Sequence, residues 1–256
     1  MKIVVLVKHT PEPTAVWHFA DDLTLDRDNA GGRLSELDEY AVEQALRLGE
    51  SGLAVDVSYL TMGPPHAVDA LRKALSMGGE RGFHVVDDAL HGADARATSL
   101  VLAAALQRIG FDLVLTGMAS TDGEMSVIAP MVAARIGVPV LTNASGLSIE
   151  DGSVNVSRET DDTIEQLRAP LPAVVSVTDR SGDARYPNFR AIIAGKKKPV
   201  TTWCLADLGI APEVVGPATV VRAVRRRPPR AAGTVIVDDG DAAAQVADFL
   251  AANNLL

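Results

Sequence analysis

The residue types best suited to chemistry stand together in Met118-Ala119-Ser120-Thr121-Asp122-Gly123-Glu124, a run of small, hydroxyl and carboxylate side chains flanked by Gly117. It follows the apolar run Leu113-Val114-Leu115 and precedes a helical pattern, so it lies where a strand gives way to a helix. Free N–H groups at a helix start carry roughly half a unit of positive charge and suit a ligand phosphate. The chain contains neither G-x-G-x-x-G nor a Walker lysine motif, so neither a dinucleotide fingerprint nor a P-loop is available. Two readings of the turn carry equal weight: a phosphate cradle, or two glycines that merely permit a tight connection.

Side-chain catalysis finds little support. His9, His18, His66, His84 and His91 show no metal-ligand spacing, and His84, on a strand, reads as structural. Cys204 has no obvious base beside it, and G-x-S-x-G is missing. Asp122 and Glu124, two apart on a turn, read as solvated or capping carboxylates and not as an acid-base pair. A chain that binds a nucleotide and contributes a surface fits better than an enzyme.

Composition agrees. The 256 residues, 47% of them apolar, are enough for one sizeable core with or without a small appendage. A net charge of −9 argues against nucleic acid and against anionic membrane surfaces. A single cysteine excludes an intramolecular disulfide, and the short apolar stretch Ile3–Val7 is neither a signal sequence nor a membrane span. A cytoplasmic protein is expected.

The elements that must position the turn alternate in period. Residues 2–7 read as a strand covered on both faces. A broken pattern over 14–34 suggests a hairpin excursion, and a helix starts at Ser35, with Ser35 as cap and Asp38 completing a short capping box, and ends at Gly52. Strands over 53–60, 82–86 and 112–115 then alternate with helices over 67–77, 93–109 and 126–136, followed by a strand at 138–141. Such alternation predicts an α/β, doubly wound, Rossmann-like parallel sheet of the adenine-nucleotide-binding type. Ligands bind such sheets beyond the carboxyl ends of the strands, which groups residues 6–9, 61–64 and 117–124 around one crevice. Short alternating runs at 147–149, 152–158 and 163–167 predict antiparallel hairpins, and 172–177 returns to the main sheet. Residues 1–195 are expected to form the nucleotide-binding domain, and 196–256 an extended basic, Pro-rich C-terminal arm with one helix at 242–252.

The order of motifs resembles the beta subunit of electron transfer flavoprotein, the FixA family. Val7-Lys8-His9-Thr10-Pro11-Glu12 resembles the family opening, Glu39 to Leu48 its first helix and Arg72 to Gly78 its second. Val156 to Leu167, followed by Pro172-Ala173-Val174-Val175-Ser176, matches the family signature except at Thr163, where Gly, Asp or Glu is usual. Arg185-Tyr186-Pro187-Asn188-Phe189 through Lys196-Lys197-Lys198 resembles the partner-recognition loop.

The resemblance implies a heterodimer whose alpha subunit holds the redox FAD, while this chain binds AMP structurally. It implies docking of acyl-CoA or related dehydrogenases and passage of electrons to a quinone oxidoreductase. Carried over by position, the AMP site comprises Leu6, Ser35, Glu36, Leu37, Asp38, Met62, Gly117, Met118, Ala119, Ser120, Thr121, Asp122, Gly123, Glu124, Met125, Ser126, Val127 and Ile128. Asn-Pro is usual at Ser35-Glu36, and Ser126-Val127-Ile128 is poorer in amides and hydroxyls than the family pattern. The docking set comprises Arg185, Tyr186, Phe189, Lys196, Lys197 and Lys198, with Phe189 as an apolar anchor and the lysines steering toward acidic surfaces. Without the resemblance, Phe189 reads as a core residue and the lysines as a solvated helix end. The arginine-rich segment 222–230 reads as an arm across the alpha subunit. Two alternatives remain: a bifurcating flavoprotein with a second FAD in the crevice reduced by NADH, and a stand-alone ATP- or AMP-binding protein.

Overall fold

The computed structural model describes every residue except Asp28, Ala30, Arg226 and Ala231, so parts of the expected excursion and of the arginine-rich segment lie outside the described residues. The chain runs through β1 (Lys2–Leu6), β2 (His9–Thr10), β3 (Arg33–Leu34), α1 (Glu36–Glu50), β4 (Asp56–Met62), α2 (Val68–Met77), β5 (Arg81–Val85) and α3 (Ala95–Ile109). It continues through β6 (Leu113–Gly117), α4 (Ile128–Ile136), β7 (Val140–Glu150), β8 (Ser153–Glu159), β9 (Ile164–Pro170), β10 (Ala173–Val177), α5 (Phe189–Lys197), β11 (Val200–Trp203) and α6 (Ala242–Ala252).

Among the described residues, nine strands form one sheet in the order β11-β5-β4-β1-β6-β10-β7-β8-β9. Pairing is parallel from β11 to β7 and antiparallel through β8 and β9. The two-residue strands β2 and β3 form a separate antiparallel pair. Strand alternation sorts the core into two layers. Ile3 and Val5 of β1 and Leu113 and Leu115 of β6 face α1 and α2, while Val4, Leu6 and Val114 face α3 and α4. The continuous apolar runs of the sequence are the consequence of burial on both faces. A change such as Leu115→Ala, at a side chain with no exposed surface, is expected to cost about 2–5 kcal/mol.

Three boundaries differ from expectation for identifiable reasons. The second strand runs from Asp56 to Met62, later than 53–60, because its register is set by β1, with Lys2 opposite Asp56 and Leu6 opposite Leu60. The piece at 138–141 and the first hairpin run at 147–149 are one strand, β7. Its start pairs with β10 and its remainder with β8 across an irregularity near Asn143, whose φ is 59°. The helix expected from Ser126 starts at Ile128, because Glu124 (φ 49°) and Ser126 (φ 55°) take left-handed conformations. Each such non-glycine residue costs on the order of 1 kcal/mol, so the turn is held by its surroundings and not by its own preference.

The boundary expected at 195/196 also moves. The first compact unit is Met1–Val221 and the second Arg222–Leu256. Residue 195 is inside α5, β11 pairs with β5 at the sheet edge, and Leu205 and Val215 are buried in the α3-side core. Asp94 caps α3 by accepting the Ala97 N–H and also accepts the Ala218 and Thr219 N–H groups. The arm thus starts some 26 residues later than its composition suggested. In the second unit α6 buries none of its residues, and Val246 and Phe249 are exposed.

Candidate functional site

Strand order reverses at β1: β4 and β5 lie on one side and β6 on the other. Beyond the carboxyl ends of β1 and β6, where sheets of this kind bind ligands, the chain places Lys8 and the 117–124 turn. Asp38, in the first turn of α1, joins the two ends. Its Oδ2 accepts the Lys8 N–H at 2.8 Å and its Oδ1 accepts the Gly117 N–H at 3.2 Å. A Cβ at Gly117 would lie 2.7 Å from Asp38 Oδ1 and from the Leu37 carbonyl, so the position is sterically restricted to glycine. Burial pushes the Asp38 carboxyl up to about 7 against these two backbone donors and the charge of Lys8. The capping box expected of Ser35 and Asp38 is therefore absent. Ser35 makes no side-chain cap, and Asp38 faces the strands.

Asp122 is likewise not a solvated carboxylate. Its side chain is 3% exposed, with Lys8 Nζ at 2.8 Å from Oδ1 and Arg27 Nη2 at 2.5 Å from Oδ2. Burial works to raise its pKa, but Lys8 and Arg27 outweigh burial and hold it well below the carboxylate range. Glu124, by contrast, is exposed. Ser120 Oγ accepts from Lys8 Nζ at 3.3 Å and from the Gly123 N–H at 3.2 Å, which closes the turn. The sequence placed Lys8 at the crevice within residues 6–9 but gave its side chain no role, and Arg27 was missed. Lys8 directly follows a buried strand, which is a usable signal; Arg27 sits in the excursion and carried none.

Three buried hydroxyls around these strand ends have no hydrogen-bond partner: Ser35 Oγ before α1, Thr61 Oγ1 near the end of β4, and Thr121 Oγ1 in the turn. Arg27 Nη1 is in the same condition. Unpaired buried hydroxyls cost roughly 1–3 kcal/mol each, and these three could bond to a ligand rich in donors and acceptors; a fourth, Tyr59 Oη, lies over Gly79 away from them. Of the other positions carried over, Leu6 is buried in the α3-side core, Met62 and Met118 are half-buried, and Glu36 pairs with Arg33 at 3.1 Å. Leu37, Ala119, Val127 and Ile128 are half-buried, and Met125 and Ser126 are exposed. Pro130 leaves one fewer N–H in the first turn of α4 than a non-proline residue would. The His9 ring lies edge-on to His66 at 4.9 Å and occupies the space a Cβ of Gly32 would take. No cluster of metal-binding side chains occurs among the described residues. His84 Nε2 contacts the Gly63 carbonyl at 3.1 Å, a structural role. Cys204, which looked to be without a base, has its Sγ 3.2 Å from Asp207 Oδ2.

The second set lies elsewhere. Phe189 is 76% exposed and Tyr186 88% exposed, so Phe189 is not the core residue that composition alone suggested. Asn188 caps α5 through the Ala191 N–H. Lys196 and Lys197 are exposed in the last turn of α5, but Lys198 is turned inward onto the Leu75 and Gly78 carbonyls. Arg185 is also engaged internally, with Glu43 and Glu50 of α1.

With this geometry in view, the chain matches the electron transfer flavoprotein domain over residues 22–208. It is 40% identical to the electron transfer flavoprotein subunit beta of Mycobacterium leprae and to that of Mycobacterium tuberculosis, over 99% of both chains in each case. It is 32% identical, over 84% of its length and 83% of the relative's, to the caffeyl-CoA reductase-Etf complex subunit CarD of Acetobacterium woodii.

Proposed function

The chain belongs to the electron transfer flavoprotein beta-subunit family, and from that premise we propose that it is the non-catalytic half of a cytoplasmic electron carrier. It pairs with an alpha subunit that holds the FAD, binds AMP in the switch-point crevice, and docks acyl-CoA-type dehydrogenases whose electrons continue to a quinone oxidoreductase. The observation that carries the AMP assignment is the set of unpartnered buried hydroxyls at Ser35, Thr61 and Thr121. These residues fit a nucleotide. The hydroxyls suit the ribose and base, whose polar atoms are numerous and uncharged, while Ser126 and the backbone N–H groups of Val127 and Ile128 suit the phosphate. The phosphate end is the leaner one, since Val127 and Ile128 add no side-chain donors and Pro130 offers no N–H. AMP would supply binding energy and rigidity; the redox chemistry belongs to the partner's flavin.

The docking assignment draws on the exposure of Tyr186 and Phe189 beside Lys196 and Lys197. Large exposed aromatics with a basic rim are the usual composition of an anchor for an acidic-edged pocket. The exposed face of α6 after an arginine-rich stretch supports an arm that packs on the alpha subunit.

Denaturing the co-expressed heterodimer and weighing what it releases tests the reading. One FAD and one AMP per heterodimer are expected. Two FAD would replace AMP with a second flavin and favour a bifurcating carrier, a reading that the 32% identity to a subunit of a reductase-Etf complex keeps in play.

A further inference from the structure

The exposed aromatics stand on an unusually firm base. Arg185 directs its Nε to Glu43 Oε2 at 2.7 Å and its Nη2 to Glu43 Oε1 at 3.1 Å, while its backbone N–H reaches Glu43 Oε2 at 3.1 Å. The same guanidinium is bidentate to Glu50, at 2.6 and 3.0 Å. Glu43 also accepts Arg47 Nε at 2.8 Å, and its side chain is 5% exposed. Arg47 Nη2 donates to the Asp183 carbonyl, and Gln44 Nε2 to the Ser181 carbonyl. One face of α1 is thus committed to residues 181–185. On the far side, Gly195 of α5 lets the helix approach the Ser76 backbone, where a Cβ would lie 2.7 Å away. Between these two anchors Tyr186 and Phe189 touch little of the core, with the Lys73 ammonium 4.7 Å from the Tyr186 ring.

We propose that Glu43 is a positioning residue for partner docking: by clamping Arg185 to α1 it holds Tyr186 and Phe189 in the arrangement a dehydrogenase surface receives. The inference rests on the reading that residues 185–198 form the docking segment. Its physical basis is preorganisation. A segment already fixed loses less conformational freedom on association, so the clamp favours binding and leaves electron transfer within the bound complex untouched. A buried carboxylate between two guanidinium groups suits this task because neither arginine can lose its charge.

The test uses the intact heterodimer with a cognate acyl-CoA dehydrogenase, in steady state with the carrier concentration varied. Phe189→Ala reports on the docking reading itself and is expected to raise the apparent KM. Glu43→Gln is expected to raise that KM about tenfold, with kcat and FAD content unchanged and with faster trypsin cleavage after Arg190. The double variant Glu43→Gln/Arg185→Gln is expected to raise KM by less than the product of the two single effects, because both changes break the shared Glu43–Arg185 contact while only the second also loses Glu50; a full product would count against the clamp. A Glu43→Gln heterodimer with unchanged KM, beside a Phe189→Ala heterodimer with raised KM, overturns the clamp and leaves the docking reading standing. If Phe189→Ala is also without effect, the docking reading fails and the inference falls with it. Should Glu43→Gln fail to assemble, Glu50→Gln removes only the exposed half of the clamp. It must then raise KM at unchanged thermal stability, or the proposal is wrong.

Discussion

Asp38 and Gly117 are joined by a hydrogen bond of 3.2 Å from the Gly117 N–H to Asp38 Oδ1, at a position where a Cβ would meet that same oxygen at 2.7 Å. The first turn of α1 therefore rests directly on the end of β6, with Asp38 also holding the end of β1 through Lys8. The two strands that flank the reversal of strand order are tied by one carboxylate.

Gly117→Ala is expected to disrupt this contact. The obstruction comes from the Leu37 backbone and from the Asp38 carboxylate, which its bonds to the Lys8 and Gly117 N–H groups hold in place, so α1 must shift. A loss of about 2–4 kcal/mol is expected, in the range of overpacked or strained core sites. Urea unfolding of the heterodimer measures it, and an unchanged midpoint would show that α1 accommodates the methyl freely.

The pH dependence of stability follows from Asp38. Its folded pKa of about 7 lies above the ordinary carboxylate value, so between about pH 4 and 7 the folded state binds the extra proton. Stability contributed by this group is consequently greatest below that window and declines as pH rises toward 7, by on the order of 1 kcal/mol per pH unit. Asp38→Asn removes the titration. The gap in unfolding free energy between variant and wild type is expected to change across pH 5.5–7 in favour of the variant and to level off above 7.5. Parallel curves over that range would assign the titration elsewhere.

Much of this arrangement was legible in the chain and some was not. Continuous apolar runs such as Ile3–Val7 and Leu113–Leu115 announced two-sided burial, and the strand-helix alternation announced the parallel sheet. The turn 117–124 was legible as the connection beyond the carboxyl end of a parallel strand because strand ends can be read from sequence. Long-range polar pairing was not. Nothing in the spacing of Arg27, Lys8 and Asp122 brings residues 95 and 114 positions apart together, and Asp38, three residues after a serine, looked like half of a capping box. The arm boundary was misplaced because Lys196 to Pro199 look like a linker by composition, although Lys198 and the strand that follows are held by carbonyls and by β5.

Asp122→Asn leaves Lys8 and Arg27 facing each other without the carboxylate that separates them. Both cations keep some access to water, which moderates the penalty, and a loss of about 1–3 kcal/mol is expected at pH 7. Because the folded Asp122 pKa is depressed, this contribution is present above the ordinary carboxylate range and disappears as pH falls through the folded value. Chemical unfolding of wild type and variant at pH 7 checks the size of the effect; identical midpoints would mean the ion pairs carry no net stability.

The unpartnered hydroxyl of Thr61 separates a ligand site from an accident of packing. In the ligand-free chain, Thr61→Val replaces an unsatisfied buried oxygen by a methyl group of similar size and is expected to leave stability unchanged or to raise it by up to about 1 kcal/mol. If the oxygen bonds to a nucleotide when one is bound, the same change removes that bond. The purified heterodimer is then expected to retain several-fold less AMP, at a cost of about 1 kcal/mol in binding. Ser35→Ala should behave alike, whereas Ser51→Ala, whose hydroxyl is satisfied by the Leu48 carbonyl at the other end of α1, should leave AMP retention unchanged. The informative quantity is the opposite sign of the two effects, because a purely structural hydroxyl has no reason to weaken ligand retention while its removal stabilises the empty protein. Full AMP retention in both Thr61→Val and Ser35→Ala would remove the crevice hydroxyls from the nucleotide site and leave the backbone groups after Ser126 to account for binding.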